Sequence, residues 1–119
     1  MRVVIAGSRS ITDYRIVERA LDVPLRQYGW KITEVVSGTA RGVDRMGEQW
    51  AVANHIPFRR FPADWEHYGK LAGVMRNRAM ADYADALVAV WDGGSRGTKN
   101  MIEEMRARSK PVYVLRVFT

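Results

Sequence analysis

Five short apolar runs alternate with amphipathic helical segments along this chain, and that alternation restricts the fold more than any other feature. "RVVIAG", "ITEVVSG", "IPFRRF", "ALVAVW" and "PVYVLRV" have the length and the β-branched or apolar content of strands. All but the last run into a glycine, a proline or a polar turn. Between them, Val43, Met46, Gly47, Trp50 and Ala51 recur at helical spacing, as do Leu71, Val74, Met75 and Ala79, and Thr98, Met101, Ile102 and Met105. A further helix starts near Asp13, and Pro24 is expected to break or kink it before Gly29. Strand and helix in strict succession require right-handed crossovers and a parallel sheet covered on both faces, a doubly wound α/β fold. The expected strand order is 3-2-1-4-5. Ligands of such sheets sit beyond the carboxyl ends of the strands where the order reverses, here between the first strand and the fourth.

A length of 119 residues is that of one compact domain, so residues 1–119 are read as a single unit. Folding at this size buries roughly 65% of the surface of the unfolded chain, so neither metal nor disulfide is required to hold it. The absence of cysteine argues against a disulfide framework or thiolate zinc site and fits a reducing compartment. The longest apolar run, Ala86–Trp91, is too short to span a bilayer, and "MRVVIAGSRS" reaches turn chemistry by Gly7, unlike a secretory segment. A cytoplasmic location without a membrane partner is therefore expected. The formal charge of +6 suits a nucleic acid, an anionic small ligand or a solvated surface alike. The basic residues are scattered, with no block that reads as a binding tail.

Three loops face the expected ligand edge. Gly7, Ser8 and Arg9 follow the first strand; Ser37, Gly38, Thr39, Arg41 and Gly42 follow the second; Asp92, Gly93, Gly94, Ser95, Arg96, Gly97 and Thr98 follow the fourth. Each loop combines glycines that admit close backbone approach, hydroxyls that donate hydrogen bonds, an arginine, and a following helix. Helix N-termini present free N–H groups and the positive end of the macrodipole, which suits an anion. Ordinary capping and turn chemistry would account for any one loop; three on one edge point to a phosphate cradle. Asp44 and Asp92 are candidate acceptors for ribose hydroxyls, and Asp44 is also an acid favoured in the first turn of a helix. No G-x-G-x-x-G or G-x-x-x-x-G-K-[ST] stretch is present, which argues against an NAD dehydrogenase or an ordinary kinase. Asp64, Glu66 and His67 read as solvated surface rather than a metal site, and no metal or cofactor is expected. Trp50 falls on a core stripe, whereas Trp65 and Tyr68, after the third strand, suit a wall of the crevice.

The stretches "IAGSR" at 5–9, "VSGTARGVD" at 36–44 and "RNRAMADYADALVAVWDGGSRGT" at 76–98 resemble the SLOG superfamily of Rossmann-like domains, most closely its YspA-like branch of bacterial and phage proteins. The resemblance runs nearly end to end. It implies a nucleotide or nucleotide-derived ligand at the same strand edge. The chain is also similar to the lonely-guy phosphoribohydrolases, which cleave the N-glycosidic bond of nucleoside 5′-monophosphates. In that comparison Arg78 falls on the family's helix arginine, and Gly93, Gly94, Gly97 and Thr98 on its P-G-G-x-G-T loop. Trp91 and Asp92 stand where proline is expected, and the acidic position is Asn100 or Met101. Neither can ionise, so the carboxylate that hydrolysis needs is missing unless Glu103 or Glu104 reaches in, and the catalytic candidates this likeness implies are Arg78 and Glu103. "GSR", "SGTARGVD" and "RNR" also resemble the Rossmann-like core of the DNA-processing protein DprA, which binds single-stranded DNA.

These readings rank a nucleotide or ADP-ribose-type binding module first, a nucleotide N-glycosidase second and a single-strand nucleic-acid binder third. Arg9, Arg41 and Arg78 are the expected phosphate ligands, with Lys99 as a further cation. The resembling families usually pair, so a homodimer is expected.

Overall fold

The computed structural model describes residues 1–118. Its elements run β1 (Arg2–Gly7), α1 (Tyr14–Asp22), β2 (Glu34–Ser37), α2 (Val43–Ala53), β3 (Phe58–Arg60), α3 (Trp65–Tyr68), α4 (Ala72–Tyr83), β4 (Ala86–Trp91), α5 (Arg96–Ala107) and β5 (Val112–Arg116). The five strands pair in parallel in the order β3-β2-β1-β4-β5, so the expected doubly wound, Rossmann-like sheet is what forms. β3 is shorter than its apolar run because it pairs only with β2, over three positions. No helix among the described residues is long and apolar enough to cross a membrane.

β1 is bonded on both edges, to β2 and to β4. Its side chains alternate between two cores: Val3 and Ile5 pack with α1 and α2, and Val4 and Ala6 with α4 and α5. Because both faces are covered, the strand reads as an unbroken apolar run. The contact with α2 is close, since a Cβ on Gly47 would stand 2.8 Å from the Cβ of Ile5.

One local expectation holds and one is corrected. α1 stops at Asp22, two residues before Pro24, and the backbone widens into a π turn, Val23–Gln27, so the proline interrupts the α-helical pattern as expected. α4 buries a different face from the one its periodicity suggested. Leu71 and Met75 are 64% and 39% exposed, while Ala72, Asn77, Met80 and Ala81 are buried. The helix is turned by about one residue because its inward face carries Arg76 and Asn77, which meet polar partners at the strand ends.

At Gly7, a Cβ would lie 2.1 Å from the Val90 carbonyl oxygen and 2.8 Å from the Val43 side chain. The Val90 oxygen belongs to the sheet and cannot move away. Gly7→Ala is expected to lower stability by roughly 3 kcal/mol, read as a fall in the urea midpoint. A midpoint unchanged from wild type would contradict this packing.

Candidate functional site

The loops after β1, β2 and β4 meet at one end of the sheet, and their own hydrogen bonds set their shape. Ser8 is buried; its hydroxyl accepts the Asp92 N–H at 3.0 Å, tying the β1 loop to the β4 loop. Gly42 has a φ of +75°, and a Cβ there would stand 2.7 Å from the Ser8 carbonyl oxygen, so the β2 loop touches the β1 loop only because this residue is glycine. Thr39 has a φ of +68°, a costly conformation for a β-branched residue. Its N–H is held by the Ser37 hydroxyl at 3.1 Å. In the β4 loop, Asp92 Oδ1 accepts from the N–H groups of Gly94 and Ser95 at 2.8 and 2.9 Å, and Oδ2 accepts from the Ser10 hydroxyl at 3.2 Å. The backbone bonds of Gly94 and Ser95 pull the Asp92 carboxyl down to about 2.

Between these loops lies a crevice with a narrow centre and two wider arms. The centre, about 70 Å³, is floored by Ala6, Met80 and Met101 and walled by Arg9, Asp44 and Arg76. One arm, about 130 Å³, extends past Thr39 to Pro62 and Trp65. The other, about 440 Å³, extends past Ser10, Asp92 and Gly94. Arg9 lines all three spaces.

The charges in the centre are unusual. Arg76 is partly buried, which pulls its guanidinium below the ordinary range; Asp44 opposes that shift and Arg9 adds to it. Its Nη1 donates to the Gly38 carbonyl and its Nε to Asn77 Oδ1 at 2.9 Å. Nη2 has no partner among the described residues, and neither has the Arg9 side chain. Asp44 is 5% exposed, and burial pushes its carboxyl up to about 6 although the Ala40 N–H, Arg76 and the Gly7 backbone favour the ionised form. The two helix ends also differ. α2 carries Asp44 in its first turn, whereas α5 has no acid there. Ser95 caps α5 by accepting the Thr98 N–H at 3.3 Å, and the N–H groups of Arg96 and Gly97 find no acceptor among the described residues. The open positive end is therefore that of α5.

The family model of the YspA, cpYpsA-related SLOG family matches residues 1–68. The chain belongs to that family. Gene 61 protein of Mycobacterium phage D29 is 38% identical over 117 residues, with 93% of each chain covered. No solved structure matches the chain.

Within this SLOG chain, the structure brings together Gly7, Arg9, Asp44, Ser95, Gly97 and Thr98 around the centre, Gly38 and Thr39 on one arm, and Asp92 and Gly94 on the other. Other expected residues serve the scaffold. The buried Ser37 hydroxyl donates to Glu48 at 2.6 Å, and Glu48 pairs with Arg60 at 2.8 Å. Ser8 and Gly42 join the loops, and Gly93, with a φ of +85°, packs against the Arg116 guanidinium. Arg41 is exposed and lines none of the three spaces. Arg78 lies on the outer side of α4, 3.5 Å from Glu104 and away from the crevice. Glu103 is also outside, 3.9 Å from Lys99 and 62% exposed. Asn100 accepts from Asn77 at 2.9 Å. Asp64 caps α3 and bonds His67, and no group of three or more His, Asp or Glu poised for a metal occurs among the described residues.

Sequence reasoning missed Arg76 and Asn77. A signal was present: Ala72, Met80 and Ala84 stand four before, four after and eight after Arg76, so this arginine interrupts an apolar stripe.

Asp44 holds its proton in the folded chain up to about pH 6, and in the unfolded chain only up to about pH 4. The folded state therefore binds more protons between these values, and the associated stability is lost as pH rises through the window. Relative to Asp44→Asn, the wild type is expected to lose on the order of 2–3 kcal/mol between about pH 4 and pH 7, read from urea midpoints at each pH. A flat difference would mean that Asp44 titrates in the folded chain as it does in the unfolded one.

Proposed function

We propose that this crevice binds a nucleotide or nucleotide-derived ligand, with a phosphate held between Arg9, Arg76 and the first turn of α5. The convergence of two guanidiniums on one cleft centre that holds a single carboxyl, Asp44, carries this reading, because the centre keeps a net positive charge even when Asp44 is ionised. Burial raises the Asp44 carboxyl to about 6, so below that pH it offsets neither arginine, and Asp92 is engaged by its own loop. A phosphate would replace repulsion between the arginines with charge-assisted hydrogen bonds and would accept the unpaired N–H groups of Arg96 and Gly97. The narrow centre and its arms together have the size of a small-ligand pocket, ~300–1,000 Å³. Gly94 and Gly97 suit close approach, since a Cβ at Gly97 would meet nothing and one at Gly94 only an Asp92 oxygen at 3.7 Å. Both glycines therefore leave space open to a ligand rather than to protein.

One observation favours hydrolysis of an N-glycosidic bond as a second reading. Asp44 is a crevice carboxyl that keeps its proton close to neutral pH, as a general acid must. On that reading the acid is Asp44, since Glu103 and Arg78 face solvent. It requires free base to appear from a nucleoside monophosphate at roughly 1 per second or faster, whereas the binding reading expects no release by chromatography.

Titration calorimetry with ADP-ribose tests the phosphate site. Arg9→Ala is expected to weaken binding at least about tenfold, as loss of a charge-assisted contact does, while Arg41→Ala and Arg78→Ala leave it unchanged. Gly97→Ala adds a side chain inside a helix and is expected to raise stability by about 0.5–1 kcal/mol while weakening binding. Equal loss from Arg78→Ala and Arg9→Ala would refute this placement.

A further inference from the structure

We propose that Trp65 is the platform on which the ligand's base stacks, so that the crevice takes a nucleoside phosphate in one direction only. The base lies in the Trp65 arm, the phosphate in the centre, and any hydroxylated group beyond the phosphate in the Asp92 arm. The inference rests on the phosphate reading above and adds to it the class of group that each arm accepts.

Trp65 is 55% exposed, a large apolar area for a tryptophan to leave in water. Tyr68, Leu71 and Met75 are also exposed along the same segment, but Trp65 is the one among them that lines the crevice. Its indole reaches toward α4: a Cβ added at Gly73 would stand 3.6 Å from Trp65 Cη2, an ordinary contact distance. Asp64 fixes the start of α3 by accepting the His67 N–H at 3.1 Å, with its other oxygen 3.0 Å from His67 Nδ1. Trp65 follows this cap directly, and an indole with only two side-chain torsions can stack a base at a small cost in side-chain freedom.

The lining of the two arms gives the direction. The Trp65 arm is lined by Gly38, Thr39, Ala40, Pro62 and Ala63 and has no carboxylate; Arg9 and Arg76, which it shares with the centre, line it too. Trp65 is its one aromatic face, so a base stacks there with its phosphate reaching the arginines. The opposite arm is lined by Ser10, Asp92, Gly94 and Ser95 and contains no aromatic side chain. Its hydroxyls and carboxylate suit a sugar rather than a base. Stacking tolerates any base because every base has a π face, so the recognised group is an aromatic base joined to a phosphate. A free nucleotide and a nucleotide within a single strand share that chemistry.

The test measures AMP, ribose 5-phosphate and a short oligodeoxyadenylate against wild type, Trp65→Ala, Trp65→Phe and Arg9→Ala. Trp65→Ala is expected to weaken AMP roughly five- to hundredfold, the usual loss of a stacked base, and Trp65→Phe to keep most of the affinity. Ribose 5-phosphate, which has no base, should bind both Trp65 variants like the wild type and lose affinity in Arg9→Ala. AMP affinity unchanged in Trp65→Ala, with the Arg9 dependence intact, would overturn the platform and leave the phosphate site standing. Failure of wild type to bind either small ligand would overturn both, unless the oligonucleotide binds. Oligonucleotide binding tighter than AMP and lost in Trp65→Ala would support the platform and assign the base to a strand; AMP binding as tightly as the oligonucleotide assigns it to a free nucleotide.

Discussion

At the end of β1 the sheet leaves no room for even one side-chain carbon: a Cβ on Gly7 would overlap the Val90 carbonyl and press on Val43. This close packing brings the neighbouring chain segments together at one point. β4 stays in register with β1 as far as Gly7 and Val90, and the Ser8 N–H bonds the Val90 carbonyl at 3.0 Å just beyond it. α2 begins directly over the same place, with Gly42 against the Ser8 carbonyl. A parallel sheet sends all its strands out at one edge; here the glycines bring three of those exits close enough to enclose a small ligand.

The same crowding fixes the electrostatics. Asp44 and Arg76 are drawn out of water together on either side of Gly38, whose Cβ would stand 2.8 Å from an Asp44 oxygen and 3.1 Å from Arg76 Nη1. Removing charges from water is expensive unless they are paired and hydrogen-bonded. Arg76 is satisfied in part, by the Gly38 carbonyl and Asn77, and the cost shows at Asp44 as a carboxyl raised to about 6, which the Ala40 N–H and Arg76 hold from rising further. With Arg9 alongside, the centre has excess positive charge that the protein itself does not balance. The acid-free N-terminus of α5 adds to that excess.

The architecture was legible because both faces of the sheet are covered. Buried parallel strands show as unbroken apolar runs, and helices against them as 3.6-residue stripes. The α2 and α5 stripes name residues that are buried, such as Trp50 and Met105. α4 was misread because its inward face carries charge. Leu71 and Met75 looked like core, yet the helix directs Arg76 and Asn77 inward to reach backbone and Asn100 at the strand ends. Among the loops, sequence brought the three to one edge of the sheet but did not separate their roles. Ser8, Ser37 and Asp92 belong to residue types that bind ligands or shape loops, and only hydrogen-bond partners far along the chain separate the roles. Ser37 meets Glu48, and Ser8 meets Asp92, 84 residues away. The same limit applies to the arginines, since the direction in which Arg76 and Arg78 point depends on a helix phase that the apolar pattern obscured.

The unbalanced charge of Arg9 and Arg76, beside the first turn of α5, is where we propose that a phosphate binds. A crystal structure of the protein with bound ADP-ribose tests it most directly. The account predicts a phosphate oxygen within about 2.7–2.9 Å of the free Arg76 Nη2 and a second near the Gly97 N–H, with Asp44 unmoved behind them. Phosphates resting on the outward Arg41 or Arg78, with the crevice between Arg9 and Arg76 left to solvent, would contradict it.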